Sequence, residues 1–251
     1  MIKILINGAL GRMGKKVYEA TLNEEGLTAV CGVDIKGDLS NPLFPVYDSF
    51  ASVKEDVDVL IDFSAPASLD NIITFVKERK IPAVLCATGY TESDMDKVKA
   101  LSKEVAIFRS ANMSLGVNVL VDLVKKAANA LYGFDIEIIE KHHNKKVDAP
   151  SGTAVMLADA IKGELPEKFC VYGREGIVGK RNPNEIGVHA VRGGNIVGDH
   201  DVIFAGENEV VTLSHQAFDR AVFATGAVRA AKYIYNKCAG IYDMTDLLNG
   251  K

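Results

Sequence analysis

Short apolar runs alternate with helical patterns up to Asn112, and this alternation constrains the fold more than any other feature of the chain. The runs lie at Ile2–Asn7, Thr28–Asp34, Val57–Ser64, Ala83–Thr88 and Val105–Ser110. Helices are predicted between them over Met13–Asn23, Ala67–Lys80 and Ser93–Ser102. Nearly continuous apolar strands joined by helices are typical of a parallel sheet covered on both faces. The helical connections between parallel strands are right-handed almost without exception. Residues up to Asn112 are therefore predicted to form an α/β, doubly wound, Rossmann-like sheet.

The pattern changes after Asn112. A long helix is predicted over Leu115–Leu131, an alternating strand over Phe134–Lys141, and a helix from Gly152 to Ile161. Short strand candidates follow, with turns at Gly193-Gly194 and at residues 206–208, and they lie at Cys170–Tyr172, Gly187–Arg192, Asp201–Ala205 and Glu209–His215. This spacing predicts a second, α+β domain with a mostly antiparallel sheet. A last helix, Arg220–Tyr235, is expected to pack on the first domain.

Composition limits the classes of function. A chain of 251 residues has room for one large or two modest domains. A formal net charge of −4 disfavours broad nucleic-acid binding, and no apolar stretch of about 18 residues predicts a membrane span. The first residues do not make a signal peptide. The chain has four well-separated cysteines and no C-x-x-C pair, which indicates reduced thiols in a cytoplasmic protein; they are Cys31, Cys86, Cys170 and Cys238.

A glycine-rich turn joins the first strand to the first helix. It comprises Gly8, Ala9, Leu10, Gly11, Arg12, Met13 and Gly14. Glycines let the backbone approach a pyrophosphate, which the N-terminus of the helix can then bind. Asp34 lies twenty residues after Gly14, where a carboxylate would accept hydrogen bonds from the adenine-ribose hydroxyls. Lys36 could meet a 2′-phosphate. The sequence therefore predicts dinucleotide binding, although the G-x-x-G-x-x-G spacing is also compatible with a turn that binds nothing.

Further cofactor contacts are expected where the other parallel strands end. The segments at these positions are Asp62–Pro66, Cys86–Gly89 and Ser110–Met113. Each of them alone is also explained as an ordinary loop that needs turn-forming residues.

The loop after the strand at residues 134–141 carries the densest chemistry. It contains two histidines and two lysines, and it ends at Ser151, a good helix N-cap. The next backbone N–H groups, at Gly152 and Thr153, lie at the positive end of a helix. Cationic side chains beside such amides fit a substrate that carries carboxylates, and Asp148 could position a lysine or a histidine.

Three other interpretations of this loop remain open. A run of charge is often a solvated loop. Two adjacent histidines could bind a metal, but no third ligand at suitable spacing accompanies them, so no metal is predicted. A nucleophilic Ser151 would lack the G-x-S-x-G turn, and capping explains that residue better.

The segment EKHHNKKVDAPSGTA, residues 140–154, resembles the signature of the 4-hydroxy-tetrahydrodipicolinate reductase family, also called dihydrodipicolinate reductases. Other segments in the family's order are GALGRMG, DFSAP, ATG, SANMSLGVN, VYGREG, AVRGGNIVGDH and FATGAVRAA. The resemblance implies an oxidoreductase that reduces a cyclic dicarboxylate imine with NADH or NADPH in the diaminopimelate route of lysine biosynthesis. It also implies a homotetramer. The alternatives are another reductase of similar architecture and a non-catalytic nicotinamide sensor.

The resemblance also implies residue roles. His142 matches the family's acid/base, Lys146 its proton donor, and His143, Gly152 and Thr153 its contacts to substrate carboxylates. The cofactor positions match Gly8, Ala9, Leu10, Gly11, Arg12, Met13, Asp34, Cys86, Ala87, Thr88, Ser110, Ala111, Asn112 and Met113.

The same resemblance implies the division into domains. Residues 1–113 and 221–251 are expected to form the dinucleotide-binding domain, and residues 114–220 the substrate-binding and oligomerisation domain. Ile35 stands where some relatives have arginine, which argues against a strong preference for NADPH. Because Asp34 would repel a 2′-phosphate and Lys36 would attract it, we expect both cofactors to be used, with NADH favoured by less than ~10-fold.

Overall fold

The computed structural model describes residues 1–250 as two compact units. The first comprises Met1–Leu115 together with the chain from Arg220 onward, and the second comprises Gly116–Asp219. Within residues 1–250, none of the helices combines the length and apolar character that crossing a membrane requires.

The first unit is built on a seven-stranded parallel sheet in the order β12-β6-β5-β4-β1-β2-β3. Its strands are β1 (Ile2–Asn7), β2 (Leu27–Val33), β3 (Val46–Tyr47), β4 (Val59–Asp62), β5 (Ala83–Leu85), β6 (Ala106–Arg109) and β12 (Gly240–Tyr242). Its helices are α1 (Arg12–Leu22), α2 (Leu69–Arg79), α3 (Glu92–Leu101), α6 (Ala221–Ile234) and α7 (Met244–Leu248).

The central strand β1 shows why both faces of this sheet are covered. Ile4 and Ile6 pack in one core cluster with side chains of α1 and α6, whereas Leu5 packs in the other with side chains of α2 and α3. Successive side chains of a strand point to opposite faces, so an uninterrupted apolar run needs helices on both. Helix α6 is therefore part of the first unit's core, and Gly226 lets it approach the backbone of Met113.

The second unit packs two helices on one face of a five-stranded sheet in the order β11-β10-β7-β9-β8. Its elements are α4 (Leu115–Ala130), β7 (Asp135–His142), α5 (Gly152–Glu164), β8 (Phe169–Tyr172), β9 (Glu185–Arg192), β10 (Gly198–Ala205) and β11 (Val210–Ala217). β10 runs antiparallel to both β7 and β11, while β9 runs parallel to β7 and β8. Alternate residues of β7, such as Ile136 and Ile138, are buried beneath the helices.

The predicted fold class is confirmed, with differences in detail. The short elements β3, β12 and α7 were not predicted, because two to five residues carry too little periodicity to be recognised. The Gly193-Gly194 turn does not make a hairpin, since β9 and β10 lie on either side of β7. Instead, the N–H of Gly193 donates to the carbonyl of His142 at 2.9 Å, so the turn closes over the end of β7.

Candidate active site

A cavity of about 710 Å³ lies in the first unit, at the carboxyl ends of β1, β2 and β4. Strands β1 and β4 are neighbours from which the sheet winds in opposite directions, which is the switch point where open α/β sheets bind ligands. Gly8, Gly11, Asp34, Ser64 and Ala65 are among the residues that line the cavity.

The glycine loop can only be built as observed with glycine at its key positions. Gly8 has φ of 79°, and a Cβ on it would lie 2.9 Å from the carbonyl oxygen of Phe63. A Cβ on Gly14 would overlap the carbonyl of Gly8. The amide of Gly8 donates to the carbonyl of Val33 at 2.8 Å, which ties the loop to β2. Gly11 is the N-cap of α1 and has no side chain, so the first N–H groups of this helix have no side-chain acceptor at the N-cap.

Asp34 lies beside this loop, at the end of β2. Its Oδ2 accepts a hydrogen bond from the amide of Leu10 at 3.1 Å, and its side chain is half-buried in the wall of the cavity. Lys36 is exposed and is not among the lining residues. A backbone cradle that a Cβ would fill, an uncapped helix N-terminus and an adjacent carboxylate together fit a dinucleotide.

The predicted cofactor residues after β5 and β6 are not part of this cavity's lining, and neither are Ala9, Leu10, Arg12 and Met13 of the glycine-rich turn. The Cys86 side chain is buried, and burial raises the pKa of its thiol well above the usual value, with Asp62 adding to the effect. Ala87 is buried and Thr88 is exposed. These environments leave mainly the backbone of this segment available to a ligand.

The loop after β6 is held by local hydrogen bonds. The hydroxyl of Ser110 donates to the carbonyl of Asn112 at 2.9 Å, and the amide of Ser114 donates to Asn112 Oδ1 at 2.8 Å. The Met113 side chain is buried in the core. Ala111 is exposed, as is Arg12 on α1, while Met13 is half-buried.

A buried polar network at the ends of β1 and β4 was not predicted as a unit. Nδ2 of Asn7 donates to Asp62 Oδ1 at 2.8 Å, to Ser64 Oγ at 2.9 Å and to Ser68 Oγ at 3.0 Å. Asp62 is fully buried, and burial raises the pKa of its carboxyl although Ser64 and Asn7 donate to it. The network holds the loop against which Gly8 packs. The sequence signal is a polar residue that ends each of two apolar strands.

The second unit contains a buried imidazole at the end of β7. Nδ1 of His142 lies 2.6 Å from Oε2 of Glu140, which is fully buried. Arg192 on β9 donates to both oxygens of Glu140 at 2.7 Å, and the amide of Ser151 donates to Oε1 at 3.0 Å. Burial by itself would raise the pKa of Glu140, but hydrogen bonds from Arg192, His142 and Ser151 outweigh it and lower that pKa.

A second histidine completes this cluster. The predicted N-cap is confirmed, because Oγ of Ser151 accepts from the amide of Ala154 at 3.2 Å. The same oxygen lies 2.9 Å from Nε2 of His200, whose ring packs edge-on against His142 with centroids 5.2 Å apart. Burial lowers the pKa of His200 to about 4, so this imidazole is neutral at pH 7.

The loop between β7 and α5 places Lys146 in an ion pair. Its Nζ lies 2.8 Å from Oδ1 of Asp148, and the hydrogen bond from this lysine lowers the pKa of the Asp148 carboxyl. His143 and Thr153 are half-buried, and Gly152 is exposed at the first position of α5. The structure thus places all five predicted catalytic and substrate residues between the end of β7 and the first turn of α5.

Glu140, Arg192 and His200 are the residues of this site that were not predicted from the sequence. All three lie within segments that carried the family resemblance, but spacing along the chain gave no chemical reason to single them out. Arg192 and His200 reach Glu140 and His142 only because β9 and β10 flank β7.

The family follows from comparison with known proteins. Residues 2–113 match the family described as Dihydrodipicolinate reductase, N-terminus, and residues 116–248 match Dihydrodipicolinate reductase, C-terminus. The chain belongs to the dihydrodipicolinate reductase family. This confirms the predicted family, its nicotinamide cofactor and the assignment as an oxidoreductase.

Individual relatives resemble the chain over its full length. Proteins named 4-hydroxy-tetrahydrodipicolinate reductase from Caldanaerobacter subterraneus subsp. tengcongensis and Clostridium tetani are 54% and 48% identical, each over 99% of this chain and 98% of its own length. A solved structure of dipicolinate-bound dihydrodipicolinate reductase from Paenisporosarcina sp. TG-14 has a TM-score of 0.80 at 25% identity, and the similarity covers 97% of each chain.

Proposed function

We propose that this protein converts 4-hydroxy-tetrahydrodipicolinate to tetrahydrodipicolinate in the diaminopimelate route to lysine. The 4-hydroxyl group leaves as water, and the conjugated imine that results takes up a hydride from NADH or NADPH and a proton. The observation that carries the proposal is the cluster after β7, in which a buried imidazole, a lysine ammonium and a helix N-terminus lie at one place. The cluster supplies a proton and binds anionic groups, as reduction of a dicarboxylate imine requires. Family membership over both halves of the chain supports the same activity.

In the first unit, the protein's task is to bind and orient the cofactor. Amides of the glycine loop and of the first turn of α1 hold the pyrophosphate, and the Asp34 carboxylate accepts from ribose hydroxyls. When bound, the nicotinamide supplies the hydride. The Asn7–Asp62 network ties the neighbouring loop to the ends of β1 and β4 through buried hydrogen bonds.

In the second unit, we infer that the residues after β7 bind the substrate and deliver the proton. The amides of Gly152 and Thr153 face a carboxylate at the positive end of α5, and His143 contacts a carboxylate as well. Lys146 donates the proton that the substrate takes up after reduction, and its pairing with Asp148 holds the ammonium in place. His142 acts as acid/base from its Nε2 atom. The relative bound to dipicolinate, a planar dicarboxylate, supports this substrate class.

We further propose that the first unit is the dinucleotide-binding domain and the second the substrate-binding and oligomerisation domain of a cytoplasmic homotetramer. Exposed apolar side chains around the segment after β8, among them Tyr172, Ile177 and Val178, support association between copies of the second unit. Sedimentation at micromolar concentration tests it: a monomer would contradict the proposed assembly.

Substitution of the two proposed proton-transfer residues tests the function. We expect His142→Gln and Lys146→Ala each to lower kcat by ~100-fold in an assay that follows NADH oxidation, with substrate made by the synthase of the preceding step in the route. The KM for substrate is expected to rise more for Lys146→Ala, because that lysine also neutralises a carboxylate. Lys145→Ala is the matched control, since it removes an adjacent exposed lysine and should leave kcat unchanged. A normal kcat in both His142→Gln and Lys146→Ala would contradict the assignment.

A further inference from the structure

Strand β7 carries two Glu–Arg–His clusters on its opposite faces. On the face covered by helices, Glu140 contacts Arg192 and His142. On the other face, Glu137 contacts Arg174 and His189. The two clusters share their chemistry, but only the first includes a residue of the proposed reaction.

We propose that Glu140, clamped by Arg192, is a positioning residue that fixes the tautomer and orientation of His142, so that Nε2 is the ring atom that exchanges the proton. This inference rests on the proposed role of His142. It adds to that role two residues, on two strands, that do not touch the substrate themselves.

The hydrogen bonds to Glu140 determine the tautomer. Oε1 accepts from Arg192 at 2.7 Å and from the amide of Ser151 at 3.0 Å, while Oε2 accepts from Arg192 at 2.7 Å and meets His142 Nδ1 at 2.6 Å. An ionised carboxylate can only accept hydrogen bonds, so the proton of this contact belongs to Nδ1. The neutral ring therefore presents the lone pair of Nε2, and the protonated ring presents its transferable proton there.

On the Nε2 side of the His142 ring, a glycine leaves the space that the ring needs. A Cβ on Gly198 of β10 would lie 3.0 Å from Nε2 of His142 and 3.4 Å from Cδ2. Any larger residue at this position would press on the atom that is proposed to react. The ring is also held by its edge-on contact with His200, so its rotation is restricted on both sides.

The other ionisable groups of this cluster do not replace Glu140. His200 is neutral at pH 7 because burial lowers its pKa to about 4, and Asp148 is paired with Lys146. The groups that face His142 or its neighbours from the elements packed around it are Glu140 of β7, Arg192 of β9, His200 of β10, His215 of β11, and Lys146 and Asp148 of the loop before α5. Glu140 is the carboxylate that contacts the ring.

Glu140→Gln tests the proposal because it keeps the size of the side chain and removes its charge. We expect kcat to fall ~10-fold or more with the KM for NADH unchanged. We also expect the alkaline limb of the kcat–pH profile to move to lower pH, since a neutral amide stabilises an imidazolium less than a carboxylate does. Glu140→Asp, which restores the charge, is expected to return this limb toward its original position.

Glu137→Gln is the matched control on the same strand. It removes a carboxylate from the same kinds of partners on the other face of the sheet, and we expect the kcat–pH profile to keep its original shape. A double-variant cycle with His142→Gln adds a second comparison. If Glu140 acts through His142, Glu140→Gln costs little further activity in the His142→Gln background.

The tautomer can also be measured without any change to Glu140. In the ¹⁵N spectrum of histidine-labelled protein, assigned by the loss of one signal in His142→Gln, we expect His142 to be protonated at Nδ1 when neutral. The Nε2–H tautomer would overturn the proposal, and so would an unshifted pH limb in folded Glu140→Gln. If His142→Gln itself kept normal kcat, the proposed function would fail first, which separates the two conclusions.

Discussion

At the scale of single residues, the shape of the cofactor cavity depends on the absence of a side chain at Gly8. Gly8 combines a positive φ with a close approach to Phe63, so a side chain there is both strained and crowded. Gly26 has a similar φ of 86°, but nothing lies within 4 Å of the position of its Cβ. The two glycines therefore separate backbone strain from damage to the cavity.

We expect Gly8→Ala to weaken NADH binding by at least ~10-fold, because strain of about 1–3 kcal/mol is relieved by moving the loop out of its binding conformation. Gly26→Ala is expected to lower the melting temperature without changing the Kd for NADH. Titration of NADH by fluorescence, together with thermal unfolding of both variants, checks this. Equal Kd values for both variants would show that the loop does not bind the cofactor.

Asp34 and Lys36 are predicted to act in opposite directions on the preference between the two cofactors, so that neither dominates. Its carboxylate accepts from a 2′-hydroxyl but repels a 2′-phosphate, and exposed Lys36 opposes that repulsion. Because the Lys36 ammonium is exposed and solvent screens its charge, its contribution is worth only ~0–1 kcal/mol, and we expect less than ~10-fold preference for NADH. Asp34→Ala should weaken NADH use and spare NADPH use, and Lys36→Ala should do the reverse. Values of kcat/KM for both cofactors decide this, and an unchanged ratio in Asp34→Ala would rule out the ribose contact.

At the scale of secondary-structure elements, the N-terminus of α5 contributes both to folding stability and to the geometry of the candidate active site. Ser151 caps this helix, its amide donates to Glu140, and its hydroxyl meets His200. The first turn of α5 is therefore tied to β7 and to β10 by buried hydrogen bonds. These hydrogen bonds also position Gly152 and Thr153, whose amides are proposed to bind a carboxylate.

We expect Ser151→Ala to lower the free energy of unfolding by about 1–3 kcal/mol, because a cap and a buried hydrogen bond are lost together. Thr91→Ala is the control, since Thr91 caps α3 in an exposed capping box with Asp94 and should cost about 1 kcal/mol. Urea unfolding measures both. A larger loss for Thr91→Ala would contradict the importance assigned to the buried cap.

At the scale of the whole molecule, the shifted pKa values of His200 and Glu137 predict how the free energy of unfolding depends on pH. The folded-state pKa of His200 is lowered to about 4 from 6.5, so the unfolded chain binds its proton first as the pH falls. Stability is therefore lost between about pH 6.5 and 4. The pKa of Glu137 is lowered to about 2 from 4.5: burial opposes the shift, and hydrogen bonds from Arg174, His189 and Arg181 outweigh it. The stability that Glu137 contributes is therefore lost as the pH falls from about 4.5 to about 2.

We expect the free energy of unfolding to fall by up to about 3 kcal/mol between pH 7 and pH 4 through His200 alone. His200→Gln should reduce this slope, whereas His189→Gln, at a half-exposed histidine, should change it less. Urea unfolding at several pH values measures the slopes. An identical slope in His200→Gln and the unsubstituted protein would show that His200 is not held neutral by burial.

Local patterns along the sequence determined the parallel first unit, its glycine loop and the basic loop before α5. Apolar runs such as Ile4–Ile6, a turn that needs glycine at Gly8 and a cap at Ser151 are each readable within a few residues. The physical reason is that periodicity, turn geometry and capping depend on near neighbours in the chain.

Only the tertiary structure decided which distant side chains meet. Strand β7 lies between β9 and β10, and this brings Arg192 to Glu140 and His200 to His142. In the first unit, the parallel pairing of β1 with β4 likewise brings Asn7 to Asp62. Strand partners are selected by the burial and hydrogen bonding of the whole sheet, since each segment can satisfy its own pattern beside several others. The residues proposed to bind ligand could therefore be named from the sequence, but the groups that hold them in place could not.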